Sequence, residues 1–340
     1  MYKKLILGGA AAVVAGIGIY KFISSQNGKS EPKENWTTAD IPDLTGKVII
    51  VTGANSGIGY EAAKEFAHKG ARTILACRSM DKAQAALGQI QAEIPSAPAE
   101  IMQLDLASLA SVHRFAEEFK AKYDRLDVLV NNAGIMWVPY GLTEDGFEQH
   151  FGTNHLGHFA LTGLLINLLL ETPGSRVVNV SSTGHRSGNI DFEDLMYEGG
   201  RGYRRQRVYG RSKLANLLFT YELQRRFEAI GADAMATAAH PGGTNTNLAR
   251  HVEDRWYFKA LRPLFERMAQ EADMGALPTI RAAVDPNAKG GNYYGPSGFM
   301  EQGGYPVLVQ SSKASHNVAD AQRLWQVSEE LTGVDFGPLD

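Results

Sequence analysis

The chain has 340 residues, 44% of them hydrophobic and 21% charged, and carries a formal net charge of −3. These values are typical of a globular chain that buries a sizeable core, and they exclude the disordered and collagen-like classes. Because the net charge is small and negative, we expect no nucleic-acid partner. Because Cys77 is the single cysteine and the nine histidines lack paired spacing, we expect no disulfide and no metal site.

The amino-terminal segment, residues 1–23, is an apolar stretch flanked by lysines. Leu5 to Tyr20 is an unbroken run of apolar residues and glycines. It reaches about 19 residues if Lys21 extends its ammonium towards water, which is near the minimum for spanning a bilayer. We favour an N-terminal hydrophobic helix that serves as a membrane anchor. A cleaved signal peptide and a buried or interfacial helix are the alternatives, and lysines on both sides leave the orientation open.

Residues 24–44 are polar, contain Pro32 and Pro42, and are interpreted as a linker.

The domain that follows, residues 45–340, alternates short apolar strands with amphipathic helices. The predicted strands are Val48–Val51, Thr73–Ala76, Ile101–Leu104, Leu126–Asn131, Arg176–Val180 and Ala234–His240. The predicted helices include Gly59–Lys69, Asp81–Ala92, Ser111–Tyr123 and Gln206–Ala229. This alternation predicts a single α/β domain of the Rossmann type, with a doubly wound parallel sheet and helices on both of its faces.

A glycine-rich turn lies between the first strand and the first helix, from Thr52 to Gly59. Glycines let the backbone approach a pyrophosphate closely, and the helix N-terminus then faces the negative charge. The position between strand and helix is the context that such a motif requires. The predicted cofactor contacts in this turn are Gly53, Asn55, Ser56, Gly57, Ile58 and Gly59.

Further motifs follow in a fixed order. They are Asn131-Asn132-Ala133-Gly134, Asn154 at the start of a long apolar helix, Ser181-Ser182, Tyr209-Gly210-Arg211-Ser212-Lys213 and Pro241-Gly242. Together with the spacing of the glycine turn, this series resembles the short-chain dehydrogenase/reductase family from about residue 46 to the end of the chain. The resemblance implies a nicotinamide cofactor and an oxidoreductase that interconverts an alcohol and a carbonyl.

The end of the second strand predicts which nicotinamide cofactor binds. A carboxylate there would accept hydrogen bonds from the ribose 2'-hydroxyl, but the sequence reads Ala76-Cys77-Arg78. Arg78 can pair with a 2'-phosphate, so we predict NADP(H). The remaining contacts that the family pattern implies are Asp105, Leu106, Asn132, Ala133, Gly134, Tyr209, Lys213, Pro241, Gly242, Thr244 and Thr246.

The predicted catalytic residues are Asn154, Ser182, Tyr209 and Lys213. Tyr209 and Lys213 are four positions apart and lie on one face of a helix, where the ammonium is expected to lower the pKa of the tyrosine. Tyr209 would exchange a proton with the substrate oxygen, and Ser182 would orient that oxygen. The resemblance implies that Asn154 kinks its helix and holds a water that relays protons to Lys213, which also contacts the nicotinamide ribose.

The long gap between Ser182 and Tyr209 resembles the retinol dehydrogenase and protochlorophyllide reductase branch. Asn154-His155-Leu156-Gly157-His158-Phe159 and His240-Pro241-Gly242 fit the same branch. That branch implies an apolar substrate such as a retinoid or a lipid-derived aldehyde. Residues 248–274 are the expected pocket cover, as a lid, an interfacial helix or a core helix. Five arginines, Arg201, Arg204, Arg205, Arg207 and Arg211, are interpreted as a solvated basic cluster.

Two alternatives to this enzyme stay open. One is a catalytically silent NADP-binding sensor, although such a protein would be expected to lack Tyr209 or Lys213. The other is a protochlorophyllide-type reductase, which the single Cys77 argues against because that branch carries further cysteines. The resemblance also implies a homodimer through the helices that bear Asn154 and Tyr209. Because the nicotinamide cofactor belongs to a soluble pool, we expect the catalytic domain to lie in the cytosol. The protein is then membrane-associated if residues 1–23 are an anchor, and cytoplasmic otherwise.

Overall fold

The computed structural model describes residues 35–244 and 270–339. They belong to one compact unit that begins at Asn35. The predicted N-terminal hydrophobic helix, Thr246 and the predicted pocket cover up to residue 269 lie outside the described residues. Within the described ranges, no helix combines the length and the apolar composition needed to cross a membrane.

The centre of the domain is one sheet of eight strands, and it confirms the predicted α/β class. The strands are β1 (Val48–Thr52), β2 (Arg72–Cys77), β3 (Ala99–Gln103), β4 (Val128–Asn131), β5 (Ser175–Val180), β6 (Ala234–Ala239), β7 (Tyr293–Pro296) and β8 (Pro306–Leu308). Their spatial order is β3-β2-β1-β4-β5-β6-β7-β8. Every neighbouring pair is parallel except β7 and β8. The order reverses between β1 and β4, which is where a doubly wound sheet opens a crevice for a ligand.

The helices cover both faces of this sheet. They are α1 (Gly57–His68), α2 (Met80–Glu93), α3 (Leu109–Lys122), α4, α5 (Ile166–Glu171), α6 (Arg205–Ala229), α7 (Ala272–Val284) and α8 (Val318–Thr332). Helix α4 is continuous through three segments, Gln149–Phe151, the π-helical turn Gly152–Leu156 and Gly157–Leu164.

Strand β1 shows why the strands are apolar throughout. All five of its residues are buried. Ile49 packs in the same cluster as Phe66 of α1, whereas Ile50 packs in the opposite cluster with Phe115 of α3. Successive side chains of a strand point to opposite faces, so a sheet that is covered on both faces requires apolar residues at every position.

Two strands at one edge of the sheet were not predicted. Strand β7 is only four residues long and ends in Gly295 and Pro296, and β8 begins at Pro306. Prolines and glycines usually argue against a strand, but Pro306 lies in the edge strand β8, and Gly295 and Pro296 follow Tyr294, the last residue of β7 that pairs with β6. The antiparallel β8 therefore modifies the predicted parallel sheet at its rim.

The predicted linker also differs from the structure. Trp36, Ile41 and Leu44 are buried at 3%, 4% and 6% exposure in the cluster that contains α1 and α7. The guanidinium of Arg281 lies 6.0 Å from the centre of the Trp36 ring. The polar average of residues 24–44 hides three large apolar side chains, so residues 36–44 belong to the folded domain rather than to a linker.

Candidate active site

The glycine turn adopts backbone geometry that only glycine takes readily. Gly53 and Gly57 have φ angles of +68° and +57°, in the left-handed region that disfavours side chains. Gly59 is constrained by space instead, because a Cβ atom there would collide with the side-chain amide of Asn132 and lie 2.7 Å from the carbonyl oxygen of Gly53. The turn thus brings its backbone, and the N-terminus of α1, to the carboxyl end of the sheet.

Thr52 ties the ends of β1 and β4 together. Its Oγ1 accepts hydrogen bonds from the backbone N–H groups of Asn132 and Ala133, each at 2.9 Å. In return, the Asn132 side chain donates to the carbonyl oxygen of Thr52 at 2.7 Å. His158 contacts Thr52 Oγ1 at 2.9 Å, and burial lowers the pKa of His158 to about 3, so this imidazole is neutral. These contacts fix the two turns that face each other across the crevice.

A cleft of about 310 Å³ opens at this edge of the sheet. Most of the predicted site residues line it. Its lining comprises Gly53, Asn55, Ser56, Gly57, Ile58, Gly59, Ala76, Arg78, Ser79, Lys82, Leu104, Asp105, Leu106, Asn132, Ala133, Gly134, Ile135, Thr153, Val180, Ser181, Tyr209, Lys213 and Pro241. Ser182 and Asn154 lie behind this lining, in contact with residues that form it.

The cleft has an excess of positive charge. Among the described residues that line it, the cations are Arg78, Lys82 and Lys213, and the single carboxylate is Asp105. Sequence reasoning missed Lys82. It stands in the first turn of α2, whereas Arg78 precedes that helix, so no helical spacing links the two residues in the sequence. Two flexible cations next to the end of β2 suit a phosphate better than a ribose hydroxyl.

Asp105 and the turn after β6 complete the cleft. Asp105 Oδ1 accepts from the backbone N–H of Ala107 at 3.0 Å, which fixes the carboxylate. Gly242 has a φ of +68°, and a Cβ there would lie 2.6 Å from the carbonyl oxygen of Gln302. Thr244 Oγ1 donates to the carbonyl oxygen of Pro241 at 2.7 Å. The predicted contacts after β6 therefore fall in a tight turn beside the cleft, as far as Thr244.

Tyr209 and Lys213 project from α6 into the same cleft. Both are buried, at 9% and 4% exposure. Lys213 Nζ donates to the carbonyl oxygen of Val180 at 2.9 Å and lies 5.9 Å from the centre of the Tyr209 ring. The amine is therefore anchored to the end of β5 while it stays beside the phenol.

The expected lowering of the pKa of Tyr209 is wrong for this structure. Burial raises the pKa of Tyr209, and the hydrogen bond with Ser182 offsets the rise only in part. Burial also lowers the pKa of Lys213 to about 8, because a charged amine loses hydration there. The ammonium donates to the carbonyl oxygen of Val180 and lies 5.9 Å from the centre of the Tyr209 ring. Its influence on Tyr209 is therefore smaller than the cost of burying a tyrosinate.

Ser182 and Asn154 hold the neighbourhood of Tyr209. Ser182 Oγ lies beside the Tyr209 ring and accepts from the backbone N–H of Gly184 at 3.1 Å. Asn154 lies inside the π-helical turn of α4 rather than at the start of a helix. Its Oδ1 accepts from Ile135 N at 2.8 Å, and its Nδ2 donates to Ile135 O at 3.0 Å and to Ser212 Oγ at 2.9 Å. Asn154 thus joins the loop after β4 to α6.

The segment 188–204, which we call the insert, fills the long gap between Ser182 and Tyr209. Arg211 anchors it by donating to the carbonyl oxygens of Asn189, Asp194 and Leu195 at 3.0, 2.7 and 3.1 Å. The same guanidinium lies 4.3 Å from the centre of the Tyr197 ring. Arg211 is only 4% exposed, so its assignment to a solvated basic cluster was wrong. Long-range carbonyl partners leave no local signal in a sequence.

Comparisons with known proteins agree with this geometry. The model of the short chain dehydrogenase family matches residues 47–256. The chain belongs to the short-chain dehydrogenase family. It is 40% identical over 302 residues to retinol dehydrogenase 12 of Mus musculus, covering 88% of this chain and 90% of that protein. It is 39% identical over 346 residues to retinol dehydrogenase 14 of Homo sapiens, covering 96% and 98%. The predicted retinol dehydrogenase-like branch is therefore confirmed.

Solved structures show the same fold. An uncharacterised protein from Mycobacterium paratuberculosis has a TM-score of 0.74 at 42% identity, covering 89% of this chain and 99% of that one. An NADP complex of RhlG from Pseudomonas aeruginosa has a TM-score of 0.59 at 23% identity, covering 74% and 94%. As a member of this family, the protein is an oxidoreductase that uses a nicotinamide cofactor and acts on an alcohol or a carbonyl compound.

Proposed function

We propose that the protein is an NADP(H)-dependent oxidoreductase that interconverts an apolar alcohol and its carbonyl form at Tyr209. The observation that supports this most strongly is the convergence of Tyr209, Lys213 and the glycine turn on one cleft, with the Ser182 hydroxyl beside the Tyr209 ring. A glycine turn alone would serve any dinucleotide, and a buried tyrosine alone would serve packing. Their meeting in one crevice supports hydride exchange next to a proton donor.

The lining of the cleft fits a nicotinamide dinucleotide phosphate. The glycine turn and the N-terminus of α1 offer backbone N–H groups to a pyrophosphate. Arg78 and Lys82 offer two cations where a 2'-phosphate would lie, and Asp105 stands apart as the single carboxylate among the described lining residues. We assign the cofactor contacts to the predicted residues, with Lys82 added to them.

The raised pKa of Tyr209 supports a role as a proton donor. A nicotinamide held in this cleft supplies the hydride. Since burial keeps the phenol protonated at neutral pH, Tyr209 donates its proton to the carbonyl oxygen during reduction, while Ser182 holds that oxygen in line. Lys213 positions the ribose and stabilises the tyrosinate that results. Asn154 holds the loop after β4 against α6, and we retain the proposal that a water beside it relays protons to Lys213.

We propose an apolar substrate, such as a retinoid or a lipid-derived aldehyde. The similarity to retinol dehydrogenases over most of the chain and the insert beside Tyr209 support this choice. Membrane association through residues 5–23, a cytosolic catalytic domain and a homodimer remain proposals of the same kind. They are carried by the sequence pattern and the family resemblance alone.

The test is reduction of a panel of apolar aldehydes with NADPH and with NADH, using the wild type and Tyr209→Phe. We expect Tyr209→Phe to lower kcat on the order of 10³-fold, as loss of a general acid does, with a much smaller change in affinity for NADPH. Tyr221→Phe is the matched control, because Tyr221 is buried on the same helix and its hydroxyl contacts Ser311 at 2.8 Å, away from the cleft. Wild-type turnover in Tyr209→Phe would refute the proposal, and NADPH binding without any turnover would favour the sensor.

A further inference from the structure

Glu148 and His150 are two fully buried polar residues that the proposed mechanism does not use. Both have 0% exposure and lie at the start of α4. The His150 ring lies between two tyrosines, with its centre 6.2 Å from that of Tyr209 and 6.3 Å from that of Tyr203. One of these tyrosines is the proposed proton donor, and the other is at the end of the insert.

A compact set of hydrogen bonds joins Glu148, His150 and Tyr203. Glu148 Oε1 lies 2.9 Å from His150 Nδ1. The Tyr203 hydroxyl lies 3.0 Å from Glu148 Oε1 and 3.0 Å from His150 Nδ1. The carboxylate also accepts from the backbone N–H groups of His150 and Phe151 at 2.9 and 2.8 Å, which fixes it to the first turn of α4.

The carboxylate of Glu148 is ionised despite its burial. Burial raises its pKa, but the hydrogen bonds and charge of His150 and the two backbone N–H groups outweigh that effect, and the net pKa is lowered. A carboxylate faces Nδ1 of His150, so Nδ1 carries a proton and the orientation of the imidazole ring is set. A buried anion of this kind is costly unless its partners stay in place.

The other nitrogen of His150 has no polar partner. Nε2 is buried and makes no hydrogen bond within the described part of the chain, whereas most buried polar atoms are satisfied. The position of the ring is therefore determined by Glu148 on one edge and by ring packing against Tyr209 on another. The approach to Tyr209 is edge-to-face, with an interplanar angle of 68°.

Tyr203 connects this cluster to the insert. Its hydroxyl also lies 3.3 Å from the carbonyl oxygen of Val138. Its ring packs edge-to-face against Tyr140 and Tyr197, with centres 5.4 and 5.6 Å away. Arg211 and Arg323 contact the middle of the insert, and Met196 Sδ accepts from the backbone N–H of Glu148 at 3.3 Å. Tyr203, near the end of the insert, reaches the His150 side chain that packs on Tyr209.

We propose that Glu148, His150 and Tyr203 form a positioning network that seats the end of the insert and holds the Tyr209 ring in its productive orientation through His150. The inference rests on the proposed function, because it assumes that Tyr209 is the proton donor. Glu148 fixes His150, His150 restrains Tyr209, and Tyr203 links both to the seated insert. If the insert moves away, Tyr203 no longer contacts Glu148 and His150, and His150 then holds the Tyr209 ring less firmly.

Two conservative variants separate these steps. Tyr203→Phe keeps the ring and removes the hydroxyl, so both the insert and His150 lose a restraint. His150→Asn keeps an N–H group near Glu148 but removes the ring edge from Tyr209. We expect each to lower kcat about 10-fold with an unchanged Kd for NADPH, since small displacements of an acid from its substrate are costly. A merely structural role would lower thermal stability without this selective loss of kcat.

Trypsin gives a readout that does not depend on turnover. Arg201, Arg204 and Arg207 are exposed at the end of the insert and the start of α6. Tyr203→Phe is expected to speed cleavage there several-fold, because the local opening becomes easier. His150→Asn preserves the contact between Tyr203 and Glu148, so it is expected to slow turnover while cleavage stays near the wild-type rate.

The controls keep failure of the inference distinct from failure of the proposed function. Arg323→Ala removes the exposed pair that Arg323 forms at 3.0 Å with Glu193 of the insert, and it should alter neither readout. If Tyr209→Phe is inactive while Tyr203→Phe and His150→Asn keep kcat within about twofold of the wild type, the network is structural and the inference fails alone. If Tyr209→Phe stays active, the proposed function fails. Tyr203→Phe retains all ring contacts, so the test does not depend on the folding of His150→Asn.

Discussion

The cofactor side of the cleft and its substrate side are built in different ways. On the cofactor side, neighbouring strands end in short turns that contact each other directly, as Thr52 does with Asn132. On the substrate side, the insert is held by individual side-chain contacts, such as the hydroxyl of Tyr203 with the carboxylate of Glu148 at 3.0 Å. The first kind of construction leaves local motifs in the sequence, and the second leaves almost none.

Lys213 lies where the two sides meet, so its replacement should have the largest effect. Lys213→Met removes the amine that is anchored to Val180 O and stands beside Tyr209. We expect kcat to fall on the order of 10³-fold and NADPH affinity to fall as well, measured by steady-state kinetics and by quenching of protein fluorescence. A loss of kcat alone, or of NADPH affinity alone, would contradict the assignment of Lys213 to both the substrate side and the cofactor side.

The adjacent serines Ser181 and Ser182 offer a sharper division. Ser182 contacts Tyr209, whereas Ser181 Oγ donates to the carbonyl oxygen of Lys213 at 2.8 Å within the fold. Ser182→Ala should lower kcat about 10²-fold, as loss of one donor to a reacting oxygen does. Ser181→Ala should mainly reduce thermal stability. Equal kcat values in the two variants would remove Ser182 from the proposed site.

The sequence indicated which residues meet on the cofactor side of the cleft because backbone geometry restricts their types. The turn from Gly53 to Gly59 needs glycine for reasons of φ and close approach, and the strands next to it are apolar because both sheet faces are covered. Lys82, which was missed, lies in the first turn of α2 and outside the glycine turn. Where short-range geometry dictates residue type, a single sequence carries the information.

The substrate side was predicted poorly because it is held by side-chain contacts and burial, which do not restrict residue type as a glycine turn does. Arg211 resembles its exposed neighbours in sequence, yet it is buried beneath the insert and donates to three carbonyl oxygens there. Burial also reversed the expected direction of the pKa shift of Tyr209, since spacing places Lys213 on the correct face but does not state the desolvation cost. Trp36, Ile41 and Leu44 were hidden in a polar segment for a similar reason, as their partners lie elsewhere in the chain.

Cofactor selectivity tests the cofactor side alone. Arg78→Ala and Lys82→Ala each remove a cation near the end of β2. Because a charge-assisted hydrogen bond contributes about 1.5–3 kcal/mol, each variant should lose roughly 10- to 100-fold in preference for NADPH over NADH. The preference is measured as the ratio of kcat/KM values with one aldehyde. Lys69→Ala, at the far end of α1, is the control, and an unchanged ratio in Arg78→Ala would contradict NADP(H) selection at this position.

Buried histidines make both sides sensitive to acid. His158 contacts Thr52 on the cofactor side, and His185 contacts Ser182 O at 2.6 Å on the substrate side. Burial lowers their pKa values to about 3 and about 4, and lowers that of His155 to about 3. The unfolded chain, with a histidine pKa of about 6.5, therefore binds more protons than the folded chain below that pH.

The stability that these neutral histidines contribute is complete above pH of about 6.5 and is lost as the pH falls towards their folded values. Each should reduce the free energy of unfolding by about 1.4 kcal/mol per pH unit in that window. Urea unfolding between neutral pH and mild acid measures the slope of the free energy of unfolding against pH. His185→Asn should reduce this slope by the amount that corresponds to about one proton. A flat profile would mean that these imidazoles are not buried in neutral form.

Transfer of deuterium to an apolar aldehyde, from NADPH that carries deuterium at both C4 positions of its nicotinamide, tests directly whether Tyr209 is the proton donor. Mass spectrometry of the alcohol follows the label for the wild type, Tyr209→Phe and Tyr221→Phe. The account predicts deuterated alcohol from the wild type and from Tyr221→Phe, and almost none from Tyr209→Phe in the same time. Deuterated alcohol formed equally fast by Tyr209→Phe would contradict it.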